Sequence, residues 1–483
     1  MRELTRHRWL LLGLAALPLL LYARSLGNGF VNWDDGLLIV DNPWIQGLSW
    51  MNIRHAFTSY DPELYIPLTL LSYQVNYAAA GLSPWIYHLT NLILHVVNVL
   101  LLFTITMQLT RRKTVAFAAA LLFAVHPLHT EAVVWAAARK DVLSTAFLFL
   151  TLASFLRYRA TEKRGWHALS IVSFGLGLLS KVSILTAPLV LMMIDWRPGQ
   201  ISFRKSLRDA LPYFGLSVIF GLISLFGKVT RSAFLYDKIL IGAKAAILLL
   251  GKLIFPWNLT IFYPYTQNIS LMNPDLMFAV LTVIAITGVC IWLTKWNRWP
   301  LFVWIIFLFL LAPSFQNIAK GRNELLDVYV TSDRYAYAAS LGPLLLFGLF
   351  FDEIRKRWKW TAWSVLAAVC VLLSVMTYRQ SLTWKDSEAL FRHAVEVSPD
   401  AYIAHQNLGT IAVRRGDIDE GLREYQEVLK IRPDAVTYYN IGLIMEHEGD
   451  IPAAIEAYRK AVETSPLEED AAERLRILTV PQK

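Results

Sequence analysis

Through residues 1–378 the chain alternates long apolar runs with short polar turns, and crossing a bilayer takes roughly 17–25 apolar residues. Such runs lie near 8–25, 88–109, 114–130, 141–158, 166–180, 183–196, 211–228, 274–294, 299–317, 336–352 and 360–378. This pattern predicts an all-α, polytopic membrane protein with about eleven transmembrane helices. The segment 237–259 is apolar too but carries Lys244 and Lys252. If it spanned, every later basic turn would change sides, so the pattern predicts a re-entrant or interfacial helix there.

After Tyr378 the pattern becomes that of a soluble, amphipathic helical array. Pro399, Pro433 and Pro466 are spaced by 34 and 33 residues, and Phe391, Tyr425 and Tyr458 repeat with the same spacing. Gly409 pairs with Gly442, and Gly416-Asp417 with Gly449-Asp450. A small residue lets two helices approach, an aromatic fills the next gap, and proline ends every second helix. This is the tetratricopeptide period. It predicts two full repeats preceded by a half-repeat, "DSEALFRHAVEVSP". The expected domains are a membrane domain, 1–378, with a first outer loop at 27–87, and a repeat domain, 379–483. So short an array is expected to lean on the membrane domain. Its concave face suits an extended peptide, or else a scaffold or dimer contact.

Composition agrees with a membrane reading. Hydrophobic residues make up 55% of the 483 and charged residues 17%, against about 25% charged in soluble domains. The 17 tryptophans suit a chain with many interfaces to anchor. Cys290 and Cys370 lie within apolar runs and read as small hydrophobes. The net charge of +9 invites a nucleic-acid partner. Its location excludes one, because the cations fall in short turns between apolar runs.

Those turns also orient the chain. Arg111 to Lys113, the 157–164 turn, the 197–208 turn, Lys295 with Arg298, and Arg355 to Lys359 alternate correctly if Arg2, Arg6 and Arg8 are cytoplasmic too. The basic head and first apolar run resemble a signal peptide. The spans that follow favour a retained anchor. Loop 27–87 has Arg54 as its only Arg or Lys, so it faces outward. With an odd number of spans the repeats share that side.

The outer side gathers the polar residues that a membrane tolerates only for a reason. Asp34 and Asp35 sit in "NGFVNWDDGLLIVDN". "HPLHTEAVVWAAARKD" brings His126, His129, Glu131, Arg139, Lys140 and Asp141; "GLLSKVSIL" brings Lys181; "VTSDRYAYAAS" brings Asp333, Arg334 and Tyr335. Singly, each reads as well as a loop charge or an ion pair, and Asp35 as a helix N-cap or Asx-turn. Jointly, acids in one outer loop and cations at three later turns suit group transfer from a lipid phosphate. Cations would neutralise the leaving phosphate and a carboxylate would accept the hydroxyl proton. Asp34, Asp35 and Asp41 have the spacing of no strong metal motif, so no cofactor is expected and a divalent metal is unsupported. No Walker, Rossmann or nucleophile-elbow pattern occurs, which argues against nucleotide-driven chemistry. A transporter is disfavoured because the charges gather at one face, not at mid-membrane.

"GFVNWDD", "YIPLTLLSYQVNYAAAGLSPWIYHLTNLILHVVN", "HPLHTEAVVWAAARKDVLS", "SDRYAYAASLG" and the "TWKDSEALFRHAVEVSPDAYIAHQNLG" junction together resemble the transmembrane and tetratricopeptide repeat-containing family. These are polytopic glycosyltransferases of the GT-C class, akin to protein O-mannosyltransferases. The resemblance covers nearly the whole chain and is weakest at 199–310. The short repeat tail looks more like a bacterial relative than like the long arrays of the animal members. The resemblance implies a polyprenyl-phosphate-sugar donor, inverting transfer to a hydroxyl acceptor, and a protein Ser/Thr acceptor guided by the repeats. Asp34 would be the catalytic base and Asp35 its assistant, with the second outer-loop motif at His126, His129, Glu131 and Asp141. Arg139, Lys140, Lys181 and Arg334 are assigned to the donor phosphate from charge and side alone. The expected location is a bacterial inner membrane with the site periplasmic, or a lumenal face in a eukaryote. Transfer to a cell-surface polysaccharide or lipid, and a non-enzymatic scaffold, are the alternatives. Sugar identity and oligomeric state are not legible.

Overall fold

A computed structural model describes residues 8–61, 64–196, 201–227, 235–317, 328–465 and 469–479. Arg2, Arg6, Arg197 and Pro466, used above for side and repeat, lie outside the described residues. The chain divides into two compact units, one of Met1–Ile261, Tyr265–Lys320 and Val328–Asp386, the other of Phe262–Pro264, Gly321–Asp327 and Ser387–Lys483.

The larger unit is helical. Its helices are α1 Arg8–Leu21, α2 Trp50–Thr58, α3 Pro67–Ala80, α4 Pro84–Thr110, α5 Lys113–Val125, α6 Thr130–Val134, α7 Arg139–Thr161 and α8 Arg164–Ser180. They continue as α9 Ala187–Asp195, α10 Phe203–Phe226, α11 Leu235–Ile254, α12 Pro274–Leu293, α13 Trp299–Leu311, α14 Ala336–Ala339, α15 Leu341–Arg357 and α16 Lys359–Leu382.

Five of these segments are long and apolar enough to cross a membrane: Pro84–Thr110, Ala136–Thr161, Phe203–Phe226, Pro274–Leu293 and Lys359–Leu382. Two bent pairs, Lys113–Val125 with Pro127–Val134 and Asp333–Ala339 with Leu341–Arg357, raise the number to seven if each is one span. Arg8–Leu21, Val182–Asp195 and Trp299–Phe315 are apolar but shorter. The expected eleven spans are therefore not established, because several apolar runs fold as short or broken helices. Most of the doubtful segment 237–259 lies in one unbroken helix, α11, which ends at Ile254. Lys244 and Lys252 are engaged, Lys244 with Asp275 and Lys252 Nζ donating to the carbonyl of Asn258 at 3.0 Å.

The bends matter most. They measure 58° after α5 and 59° before α15, and both fall beside prolines, Pro127 and Pro343. Irregular backbone at membrane depth is tolerated only where protein groups satisfy it. Here polar side chains supply the donors. Thr377 bonds Val125 O at 2.7 Å, Asn91 bonds Trp135 O at 2.7 Å, Tyr73 bonds Ala136 O at 3.1 Å and Asn98 bonds Val142 O at 2.9 Å. The two breaks also meet, with His129 Nε2 3.1 Å from Ser340 Oγ.

The smaller unit carries the repeats: α17 Ser387–Val397, α18 Tyr402–Arg414, α19 Ile418–Ile431, α20 Ala435–His447, α21 Ile451–Thr464 and α22 Glu469–Thr479. The glycine–aromatic expectation is met. A Cβ on Gly409 would sit 2.6 Å from the Tyr425 ring, and one on Gly442 2.5 Å from the Tyr458 ring. Asp417 and Asp450 cap α19 and α21 through the N–H groups of Glu420 and Ala453, at 3.0 and 3.1 Å.

Candidate functional site

The site grows from the first outer loop. Asp35 stands just before a single π-type turn, Gly36–Val40, yet its side chain makes no cap bond to that turn. It reaches back to the N–H of Val31 at 2.9 Å and across to the N–H of Ala137 at 2.8 Å. The N-cap reading therefore fails, and Asp35 instead stitches the loop to the turn before α7. It is 1% exposed. Burial pushes its carboxyl up to about 7, against the pull of the two N–H donors, with the Asp34 charge adding to the rise.

Asp34 points elsewhere. Lys140 Nζ donates to its Oδ2 at 2.8 Å; the lysine is 4% exposed and the aspartate 35%. Lys140 also lies over the Trp135 ring, 5.4 Å from its centre. The pair thus leaves one carboxylate at the surface, held by an ammonium embedded in the protein.

Next to Lys140 on α7, Asp141 accepts from Lys181 Nζ at 2.5 Å. Lys181 ends α8, where the backbone turns extended before a short 3-10 turn. Arg334 pairs with Glu131 by side chain, and its backbone N–H donates to the other carboxylate oxygen at 3.0 Å. Its guanidinium lies 5.0 Å from the centres of both the Trp135 and Tyr335 rings. Asp141, Lys181, Arg334 and Tyr335 line a cavity of about 30 Å³ with the hydroxyls of Ser144, Thr145 and Ser183. Asp141 Oδ2 and Arg334 Nε are buried there without hydrogen-bond partners. Asp34 and Asp141 both act electrostatically on Arg334, and Arg334 and Lys140 on Lys181, so the three carboxylate–cation pairs share one field.

The other expected site residues have different surroundings. Arg139 is 0% exposed. Its guanidinium donates to Asn91 Oδ1, to Ser72 Oγ at 3.1 Å, to Asn76 Oδ1 at 3.0 Å and to Tyr87 O at 2.8 Å. All four acceptors are neutral, and in this conformation Arg139 is closed to a phosphate. His126 accepts from the N–H of Leu128 and donates through Nε2 to Leu253 O at 3.0 Å. His129 donates through Nδ1 to Phe123 O at 2.9 Å. Both histidines hold the bend after α5 and are not among the residues that line the cavity. Asp333 is buried in the short 3-10 turn Asp333–Tyr335 and is not among the cavity residues. No group of three His, Cys, Asp or Glu able to hold a metal occurs among the described residues.

Sequence reasoning passed over Trp135, which carries both Lys140 and Arg334 on its ring, and Ser144 and Thr145. The latter two lie three and four residues after Asp141, on the same helical face, a spacing visible in the sequence. It also passed over the polar stripe His88, Asn91, His95 and Asn98 of α4, whose helical spacing marks a face buried in protein.

Comparison with known proteins bears on this arrangement. Residues 69–227 match the family model described as dolichyl-phosphate-mannose-protein mannosyltransferase. Residues 375–436 and 407–469 match a tetratricopeptide repeat model. The chain is 26% identical to the protein O-mannosyl-transferase Tmtc1 of Drosophila melanogaster, over 88% of this chain and 61% of that one. It is 26% identical to the protein O-mannosyl-transferase F38B6.6 of Caenorhabditis elegans, over 89% and 63%. Against the mouse protein O-mannosyl-transferase TMTC1 the identity is 37%, over 32% of this chain and 17% of the mouse protein. The chain thus spans less than two thirds of the length of these curated relatives.

Proposed function

We propose, for a chain related along most of its length to the transmembrane and tetratricopeptide repeat-containing O-mannosyltransferases, that it is an integral membrane glycosyltransferase. It moves a sugar from a polyprenyl-phosphate carrier to the hydroxyl of a protein Ser or Thr. The carrier's isoprenoid tail stays in the bilayer and its phosphate enters beside Lys181 and Arg334. This reading puts the site on the non-cytoplasmic side, and the basic turns of the sequence support it. The repeats hold the acceptor chain.

In the transfer, the acceptor oxygen attacks the anomeric carbon on the face opposite the phosphate, and configuration inverts. Asp34 takes the hydroxyl proton as the new C–O bond forms. The bond from the anomeric carbon to the phosphate oxygen breaks, and the phosphate leaves with the electron pair. Lys181 and Arg334 neutralise that developing charge from fixed positions. Lys140 holds the Asp34 carboxylate in place, and Asp35 anchors the loop that carries it.

What carries the reading is the juxtaposition of one surface carboxylate, Asp34 on Lys140, with a buried cationic cavity whose Arg334 Nε has no partner. The test is transfer of labelled sugar from a polyprenyl-phosphate donor to a peptide acceptor. We expect Asp34→Asn to lower kcat by a factor of roughly 10²–10⁴, the range for loss of a general base, with little change in KM. Full activity in a folded Asp34→Asn protein would refute the assignment.

A further inference from the structure

The far end of α15 carries a second arrangement that the transfer reaction does not use. The helix begins one residue past Ser340 and runs 17 residues to Arg357. At 1.5 Å per residue this places its C-terminus about 25 Å from the cavity end. There it turns back through Trp358 into α16. Side chains of the two helices line a cavity of about 280 Å³. Phe347, Phe350 and Ile354 form one wall, at helical spacing along α15; Ala362, Val365 and Val369 form the other along α16. Trp358 closes the end of the groove.

The mouth of this groove is cationic. Arg357 lies over the Trp358 ring at 5.4 Å, and Lys359 over the Trp360 ring at 5.3 Å. The Arg111–Lys113 turn joins them, since Arg112 bonds Glu353 at 2.8 Å. Two acids face this group from α15. Asp352 is engaged by Arg355 at 2.9 Å, and Glu353 by Arg112 and Lys356. That leaves an excess of positive charge, and Arg355 Nε is buried without a hydrogen-bond partner.

Any membrane helix touches lipid, so an apolar surface alone selects nothing. Here an apolar slot ends beside Arg357 and Lys359, cations that lie over tryptophan rings, an arrangement suited to the headgroup region. A lipid with one net negative charge gains from both features. A zwitterionic lipid brings its own cation against the same residues and gains less. We propose that the α15–α16 groove binds one anionic glycerophospholipid, with an acyl chain between the two helices and its phosphate on Arg355, Arg357 and Lys359. This site is separate from that of the sugar donor, and it requires only that the chain sits in a membrane.

The test uses the full chain, purified and stripped of bulk lipid, then titrated with phosphatidylglycerol or phosphatidylcholine of matched acyl chains and weighed intact by native mass spectrometry. The wild type should retain a single phosphatidylglycerol with at least a tenfold preference over phosphatidylcholine. Arg357→Gln with Lys359→Gln should reduce that preference to near unity. Both residues are exposed, so the pair should fold. Val365→Trp, at a position 56% exposed, should fill the slot and abolish retention of the lipid. Equal retention of both lipids by the wild type, or an undiminished preference in the double glutamine variant, would overturn the proposal.

Discussion

Asp34 and Asp35 share a peptide bond yet meet different surroundings: Lys140 on a carboxylate one-third exposed, and two backbone N–H groups on a carboxylate 1% exposed. Their roles should separate by experiment. Asp35→Asn replaces an acceptor oxygen by an NH₂ that faces an N–H donor, which costs about 1–3 kcal/mol. It should lower stability and activity together, whereas Asp34→Asn should lower activity by the far larger factor given above, with a loss of stability set by the buried Lys140 ammonium left without its carboxylate. Melting temperatures set beside rates would tell them apart. A pH dependence follows as well. The folded Asp35 carboxyl is raised from the ordinary 3.8 to about 7, so between those values the folded chain holds a proton that the unfolded chain has lost. Stability should fall as pH climbs from about 4 to about 7, by about 4 kcal/mol at most, and level off above. In Asp35→Asn that slope should vanish; melting curves at pH 5 and pH 8 would show it. The residues of the site were legible as a set of charges, but their partners were not. Nothing in "WDD" says which aspartate faces inward, because that depends on Ala137, a hundred residues away.

At the scale of helices, the unit is held by polar groups that local sequence does not pair. Arg159 of α7 bonds Asp195 of α9 at 2.8 and 2.6 Å and Asp209 of α10 at 2.5 Å, with its side chain 8% exposed. Arg159→Leu would leave two carboxylates without their common cation. The expected loss is about 3–5 kcal/mol, read as a lowered melting temperature, and Asp195→Asn with Asp209→Asn should restore part of it. The repeats can be tested similarly. Gly409→Val should cost about 1–3 kcal/mol by overpacking against Tyr425, while Thr479→Val, exposed near the end of α22, should cost little. Element type and the repeat period were readable because hydrophobic spacing carries them. The breaks at His126 and Ser340 were not, since the apolar runs continue through both and only tertiary donors such as Asn91 and Thr377 make the bends affordable.

For the molecule as a whole, acids and cations from four distant stretches, around 34, 131–141, 181 and 334, fall within one electrostatic field. The sequence suggested that convergence through the sides assigned to its turns. It did not show that Arg139 turns inward onto neutral oxygens while Lys140, its neighbour, takes Asp34. One helical step separates the two, and periodicity alone does not decide which cation faces a cavity. The most direct measurement is a structure of the full chain with a polyprenyl phosphate bound. The account predicts phosphate density within hydrogen-bond distance of Lys181 and the Nε of Arg334, with the tail leaving toward the bilayer and Asp34 across the gap. Density seated away from all of these, with Lys181 and Arg334 still paired only to Asp141 and Glu131, would contradict it.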